Sequence, residues 1–473
     1  LPLVVIAEKK IRQPSPPDPR TDPMEFSPVI EAARNAELIT VGGRVSQVIG
    51  MVIESQGPGI PVGSVCSVET SGSGKVLAEV VGFREGRVLL MPLAEMRGIE
   101  PGGRITLVGG QARVPVSRAL LGRVIDGLGR PMDGKGPIQV EQEYPLYAEP
   151  LNPMERERIS EPVDVGVRAI NGLLTLGKGQ RIGILAGSGV GKSTLLGMIA
   201  RHTSADVSVI ALIGERGREL KDFIERDLGP EGLSRSVVVV ATSDQPALVR
   251  MRGAYLAMAV SEFFRDQGRD VILMMDSVTR FAMSSREVGL AIGEPPTSRG
   301  YTPSVFGQLP KLLERAGTCT GKGSITGIYT VLVEGDDMNE PIADAVRSIV
   351  DGHIVLSRDL ASRGHYPAIE VMESVSRCMV DVVDPEQMRY ARRFLEIMAT
   401  YRRSEDLINI GAYSRGSNPK IDNAIEMIDR LNGYLRQEVE ERVGFEESVS
   451  QLAGIFLESG ERGRQPGRRQ GER

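Results

Sequence analysis

The chain has no tryptophan, and aromatic residues supply only 4% of its 473 positions. Proteins that track single-stranded nucleic acid stack bases on aromatic side chains, so this poverty argues against such a role. Positive charge is not in excess either: the formal net charge is -5, where a dedicated nucleic-acid binder is usually basic. There are three cysteines, Cys66, Cys319 and Cys378, far apart and without metal-ligand spacing. They exclude a disulfide scaffold and fit a reducing compartment. The three histidines, His202, His353 and His365, are equally scattered, which argues against a histidine-rich metal centre. No apolar run reaches the roughly 20 residues of a membrane span. The opening LPLVVIA is too short for one, and EKK follows it in place of a cleavage site. With 41% hydrophobic and 25% charged residues, a globular cytoplasmic protein of several domains is expected.

What is present changes texture along the chain. Residues 1–23, rich in proline and charge around EKKIRQPSPPDPRTDP, are expected as a disordered extension, with Met24 a possible start. Over 24–40, EFSPVIEAARNAEL sets Phe26, Val29, Ile30 and Ala33 at helical spacing. It reads equally as a partner-docking helix or as an intramolecular cover. Residues 41–115 carry short Val- and Ile-rich runs between glycine turns, the pattern of a small antiparallel barrel. Residues 116–162, dense in Gly, Pro and Asp, read as a connection. From 163 to 384 unbroken apolar runs (RIGIL, VSVIALIG, SVVVVAT, DVILMMD, SITGIYTVLVEG) alternate with helical stretches, which predicts a mostly parallel sheet covered on both faces. Residues 385–458 are helical in pattern, and 459–473 form an arginine-rich tail expected to be flexible.

Ligands of parallel sheets bind at the carboxyl ends of the strands. The first such end is Ala186-Gly187-Ser188-Gly189-Val190-Gly191-Lys192-Ser193-Thr194. It departs from the P-loop pattern only in its first slot, where alanine replaces glycine. The glycines permit a nest of inward N–H groups, Lys192 can reach β- and γ-phosphates, and Ser193 can hold Mg²⁺. That slot asks only for a small residue leaving a strand with negative φ. The second end is GERGRE, where Glu215 is placed to polarise an attacking water, with Arg216 and Arg218 as charge partners. Alone, this hexapeptide reads equally as a surface salt-bridge cluster. The third end, VILMMDSVTR, puts Asp276 where a Walker B carboxylate holds the Mg²⁺ shell, through water. Arg280, one turn on, reaches the γ-phosphate or forms a structural ion pair. Together these ends imply a Mg-ATP hydrolase.

AGSGVGKST, LIGERGREL, MMDSVTRFA, REVGLAIGEPPTSRGYTPSVFGQLPKLLERAG, VEGDDMNEPIADAVRSIVDGHIVLSR and HYPAIEVMESVSR resemble the type III protein-export ATPases, relatives of the subunits of rotary F-type ATP synthases. The resemblance runs from about Gly42 to the end of the helical region. EVVGFREGRVLLMPL, DVGVRAIN and GLAIGEPPTSRGYTPSVF most resemble the flagellar branch, and the virulence injectisome branch is its near twin. Alanine in the first loop slot resembles the export branch, where the rotary catalytic subunit usually has glycine. The resemblance implies an α/β RecA-like P-loop core with an N-terminal β-barrel and a helical C-terminal domain, assembled as a homohexamer. It implies that Arg377, in SVSR, is an arginine finger entering the neighbouring subunit's site, and that Tyr366, in HYPAIE, stacks on adenine. It further implies a stator-like regulatory protein at the N-terminal helix, a central stalk protein, export-gate membrane proteins and chaperone-bound export substrates, with no specific nucleic acid. A location peripheral to the inner face of the cell membrane follows from these partners. A rotary synthase subunit is disfavoured because one chain carries both Glu215 and Arg377. A RecA-like RNA-translocating helicase shares the core but lacks the aromatics.

Overall fold

The computed structural model describes residues 41–462 apart from 73, 334 and 336. The docking helix expected over 24–40, with its anchors Phe26, Val29 and Ile30, lies outside the described residues, as does the tail from 463.

Six strands, β1 (Gly42–Ile49), β2 (Val52–Gln56), β3 (Ser64–Glu69), β4 (Lys75–Arg84), β5 (Arg87–Pro92) and β6 (Arg104–Gln111), close a barrel in the order β1-β2-β5-β4-β3-β6. Every pairing is antiparallel. The period-two alternation of a strand explains its interior, filled by Val45, Ile53, Val68, Val80, Val88, Leu90 and Ile105. In β5 the alternate residues Leu89 and Met91 are also buried, because they join the core of the next domain. Arg252 and Tyr147 fasten this wall further: both engage the buried Glu79 carboxylate, Tyr147 through its hydroxyl at 2.7 Å.

The central sheet holds β7 (Arg123–Asp126), β8 (Arg181–Ala186), β9 (Val207–Ile213), β10 (Ser236–Ala241), β11 (Val271–Asp276), β12 (Ser324–Leu332), β13 (Gly352–Leu356) and β14 (Val375–Ser376). Their order is β14-β13-β8-β12-β11-β9-β10-β7, parallel from β13 to β7, with β14 antiparallel at one edge. Within the stretch expected as a connection, Arg123–Asp126 is thus an edge strand of this sheet. Period-two alternation splits β9 and β10 between two cores. Val209, Ala211, Val237 and Val239 face one side with helix α2 (Ala247–Asp266); Ile210, Leu212, Val238 and Val240 face the other with helix α1 (Lys192–His202). Burial on both faces is why these strands read as unbroken apolar runs.

Three helices follow: α3 (Pro385–Asn409), α4 (Pro419–Leu435) and α5 (Phe445–Arg462). Proline in the first turn and a capping Asp384 or Asn418 set the first two starts. Tyr390, Phe394, Leu431, Tyr434, Leu452 and Phe456 bury their inner faces against the α1 side of the sheet domain. Helix α5 runs to Arg462, past the boundary expected at residue 459. No helix among the described residues is long and apolar enough to cross a membrane.

Candidate active site

The expected site residues fall into two groups in space. Ala186 ends β8, and Lys192 begins α1. The loop between them turns through φ values of +78° at Gly189 and +87° at Gly191, while Gly187, expected to share this role, keeps a φ any residue can adopt. Ala186 is buried with an ordinary backbone, and its carbonyl accepts the Val333 N–H at 3.0 Å. Alanine therefore belongs to the strand here, and the loop's turn needs glycine only further on. A side chain at Gly191 would also meet the Tyr366 ring, 3.4 Å from the Cβ position. Tyr366 thus stands beside the loop, 45% exposed.

Ala186, Gly187, Ser188, Gly189, Lys192, Ser193 and Thr194 line a cleft of about 930 Å³ at the carboxyl ends of the strands. Glu215, Arg216 and Arg280 join them from β9 and from the helix Val278–Ile292. Lys192 sits between two carboxylates: its ammonium bonds Asp276 Oδ1 and lies 3.5 Å from Glu215 Oε1. Asp276 is almost fully buried, with a side chain 4% exposed. Burial pushes the Glu215 carboxyl above its ordinary range; Lys192 opposes this, and Asp276 adds to it. Glu215 is aimed here by Gly214, whose φ is +72° and whose Cβ position lies 2.7 Å from the Cβ of Arg280. Only glycine fits that turn.

The nearest cation to Glu215 is therefore Lys192, not the arginines of its own hexapeptide. Arg216 turns outward to Glu219 at 2.6 Å, and Arg218 is exposed. Among the described residues Arg280 makes no ion pair: its Nη1 reaches Met283 Sδ at 3.7 Å, and its buried Nε has no partner there. Arg377 lies elsewhere. It follows β14 and donates its N–H to the Asp351 carbonyl at 3.0 Å, beside the amino ends of β13 and β8. The six-residue β8 separates these ends by about 16 Å. Exposed there, Arg377 is outside the cleft of its own chain.

Other cleft residues were not legible in the sequence. Arg286 lies over the Tyr301 ring at 5.3 Å, Arg299 pairs with Asp337 at 2.7 Å, and Arg358, Ser243 and Glu340 complete the wall. They come from separate segments with no shared motif: Arg286 from the helix Val278–Ile292, Arg299 and Ser243 from connecting turns, and Arg358 and Glu340 from the starts of two short helices. The cationic lining suits a polyanion. Mg²⁺ fits the donors: one hydroxyl, Ser193, and one buried carboxylate, Asp276, are the sparse protein set of an ion that keeps its waters and takes phosphate oxygens. Among the described residues no group of three His, Cys, Asp or Glu forms an independent metal cage.

Family profiles match each of the three regions of the fold. Residues 166–376 match the nucleotide-binding domain of the ATP synthase alpha/beta family, residues 45–109 that family's beta-barrel domain, and residues 383–454 the T3SS EscN ATPase C-terminal domain. The chain belongs to the ATP synthase alpha/beta family, in the branch that holds the flagellum-specific ATP synthases and the type 3 secretion system ATPases. It is 55% identical to the flagellum-specific ATP synthase of Bacillus subtilis, over 87% of this chain and 94% of that one. It is 46% identical to the type 3 secretion system ATPase of Xanthomonas euvesicatoria, over 91% and 98%. The assembled ATPase EscN of enteropathogenic E. coli superposes with a TM-score of 0.83 at 48% identity, over 87% of this chain and 99% of that one.

Proposed function

We propose that the protein hydrolyses Mg-ATP to energise protein export through a flagellar type III apparatus. One arrangement supports the ATPase reading: Lys192 held between Asp276 and Glu215 where the glycine loop opens into a cationic cleft. The loop N–H groups and Lys192 bind the β- and γ-phosphates, and the start of α1 adds its positive end. Ser193 and Asp276 hold Mg²⁺, which when bound neutralises phosphate charge. Glu215 orients the attacking water and accepts its proton; partial burial keeps its basicity above that of a free carboxylate. Arg280 faces the γ-phosphate end, and Tyr366 stacks on adenine. Arg377 serves the cleft of the neighbouring copy in a homohexamer, where its guanidinium neutralises transition-state charge.

The flagellar assignment is supported by the run of flagellum-specific relatives at 44–55% identity. An injectisome role is the second reading, favoured by the 46% identity to the Xanthomonas secretion ATPase. EscN has been solved with its central stalk EscO, and a stalk protein is proposed as a partner here. A stator-like regulator at residues 24–40, export-gate membrane proteins and chaperone-bound substrates complete the proposed partners, at the cytoplasmic face of the membrane. The test is deletion of the gene, scored by electron microscopy for hooks and filaments, with complementation by the wild-type chain and by Lys192→Ala. Rescue by the wild type alone supports the proposal. Filaments that persist in the deletion reject the flagellar role and leave the injectisome reading.

A further inference from the structure

The Asp276 carboxylate is oriented by a residue that belongs to no motif. Thr330, fully buried on β12, donates its hydroxyl to Asp276 Oδ1 at 2.7 Å. The Met275 carbonyl, at 3.2 Å, is the other acceptor in reach. A hydroxyl has one proton, and the nearer, charged oxygen makes the stronger bond. Strand β12 lies between β8, which feeds the glycine loop, and β11, which ends at Asp276. Its register sets Thr330 beside Ile184 and Tyr329 beside Met275, so the hydroxyl comes from the strand that separates the two binding elements.

Among the described residues Asp276 Oδ1 has one other side-chain partner, Lys192. The two partners respond differently to a ligand. Lys192 is on the first turn of a helix, carries a long flexible side chain, and is the residue that phosphate draws away. Thr330 is fixed in the middle of the sheet. We infer that Thr330 is a positioning residue for Mg²⁺: its hydroxyl keeps the Asp276 carboxylate in place when Lys192 turns to the nucleotide, so the ion meets an oriented oxygen. This rests on the nucleotide reading of the cleft. Outer-shell partners of this kind, which orient the group that holds the ion's shell, typically govern metal affinity by 10–100-fold.

The test is binding of a fluorescent ADP analogue to the full chain, first with the metal chelated and then along a Mg²⁺ titration. Thr330→Val keeps the branched shape that suits a buried strand and removes only the donor; Thr330→Ala removes it without adding a methyl; Thr330→Ser restores it. The expected result is unchanged metal-free affinity in all three variants. The Mg²⁺ concentration for half of the metal-dependent tightening rises about 10-fold in the valine and alanine variants and returns in the serine variant. Wild-type titration curves in both variants without the hydroxyl overturn the role of Thr330 and leave the cleft's reading intact. A wild-type chain that binds no nucleotide overturns that reading, and this inference with it.

Discussion

Both ends of the central sheet are rich in charge, but they use it differently. At the amino ends the charges satisfy one another. Arg181 engages Asp351 at 3.0 Å and also Glu314. Lys178 lies 2.8 Å from Glu161 and 2.9 Å from Asp270. Arg315, with no exposed side-chain surface, forms a two-pronged pair with Glu262 at 2.8 and 2.7 Å, and its third bond goes to the Leu146 carbonyl. At the carboxyl ends the accounts do not balance among the described residues: Lys192 is shared by two carboxylates of different burial, and Arg280 has no ion pair. The lesson is that buried, mutually satisfied charge marks scaffold, while the ligand end keeps Lys192 shared and Arg280 unmatched among outward pairs such as Arg216–Glu219 and Arg299–Asp337. Arg377 is the exception, an exposed arginine at the scaffold end whose one side-chain bond among the described residues is a 3.4 Å contact to the Val350 carbonyl.

That exception offers the sharpest break. Arg377→Ala is expected to lower ATP turnover on the order of 10³–10⁵-fold with no loss of thermal stability. In the wild type, activity per chain should rise steeply with protein concentration as copies meet. Equal activity of the variant, with a flat concentration profile, would return Arg377 to the scaffold. Next, Glu215→Gln should reduce turnover by roughly 10²–10⁴-fold while Mg-ATP still binds, measured by single-turnover kinetics and nucleotide binding. The opposite outcome is expected of Arg315→Met. Loss of the partner leaves Glu262 buried and unpaired, at a cost of about 3–5 kcal/mol in denaturant unfolding. Nucleotide affinity of the fraction that remains folded should be unchanged.

The pH profile sharpens the same contrast. The Glu215 carboxyl lies above its ordinary 4.5 because the folded site favours its neutral form. As the proposed base, Glu215 has to be ionised, so the acid limb of kcat/KM should fall at a pH above the usual carboxylate range, and Glu215→Gln should remove that limb. The linked effect on stability has the opposite sense. A raised pKa means the folded chain holds this proton more tightly, so ionising Glu215 as pH rises from 4.5 through the folded value costs stability. The smallest effect belongs to Tyr366→Ala, about 1 kcal/mol of stacking, or roughly five-fold in KM for ATP, with kcat little changed.

Much of this was legible in the residues. The strands from Arg181 to Leu332 show as apolar runs because burial on both faces removes any polar register, and the loop from Ala186 to Lys192 is contiguous in sequence. Asp276 was legible through its position at a strand end. The edge strand Arg123–Asp126 was not, because four residues among glycines and prolines carry no pattern of their own. Thr330 looks like any β-branched residue in a buried strand, and its use of the hydroxyl depends on which strand lies next to it. Arg286, Arg299 and Arg358 meet in the cleft from three separate elements, a convergence that only the topology creates. The pairing of Glu215 with Lys192 across the sheet, in place of Arg216 or Arg218, has the same origin.

The separation of Arg377 from the glycine loop by the length of β8 gives the molecule a direction. Through the paired strands β8 and β13, the proposed nucleotide site of one copy is joined to the residue proposed to serve another copy's. In the proposed ring each contact is head-to-tail, so every copy has a sender on one side and a receiver on the other. A change at one nucleotide then has a clockwise and an anticlockwise neighbour that are not equivalent, and a signal between sites can circulate in a preferred sense.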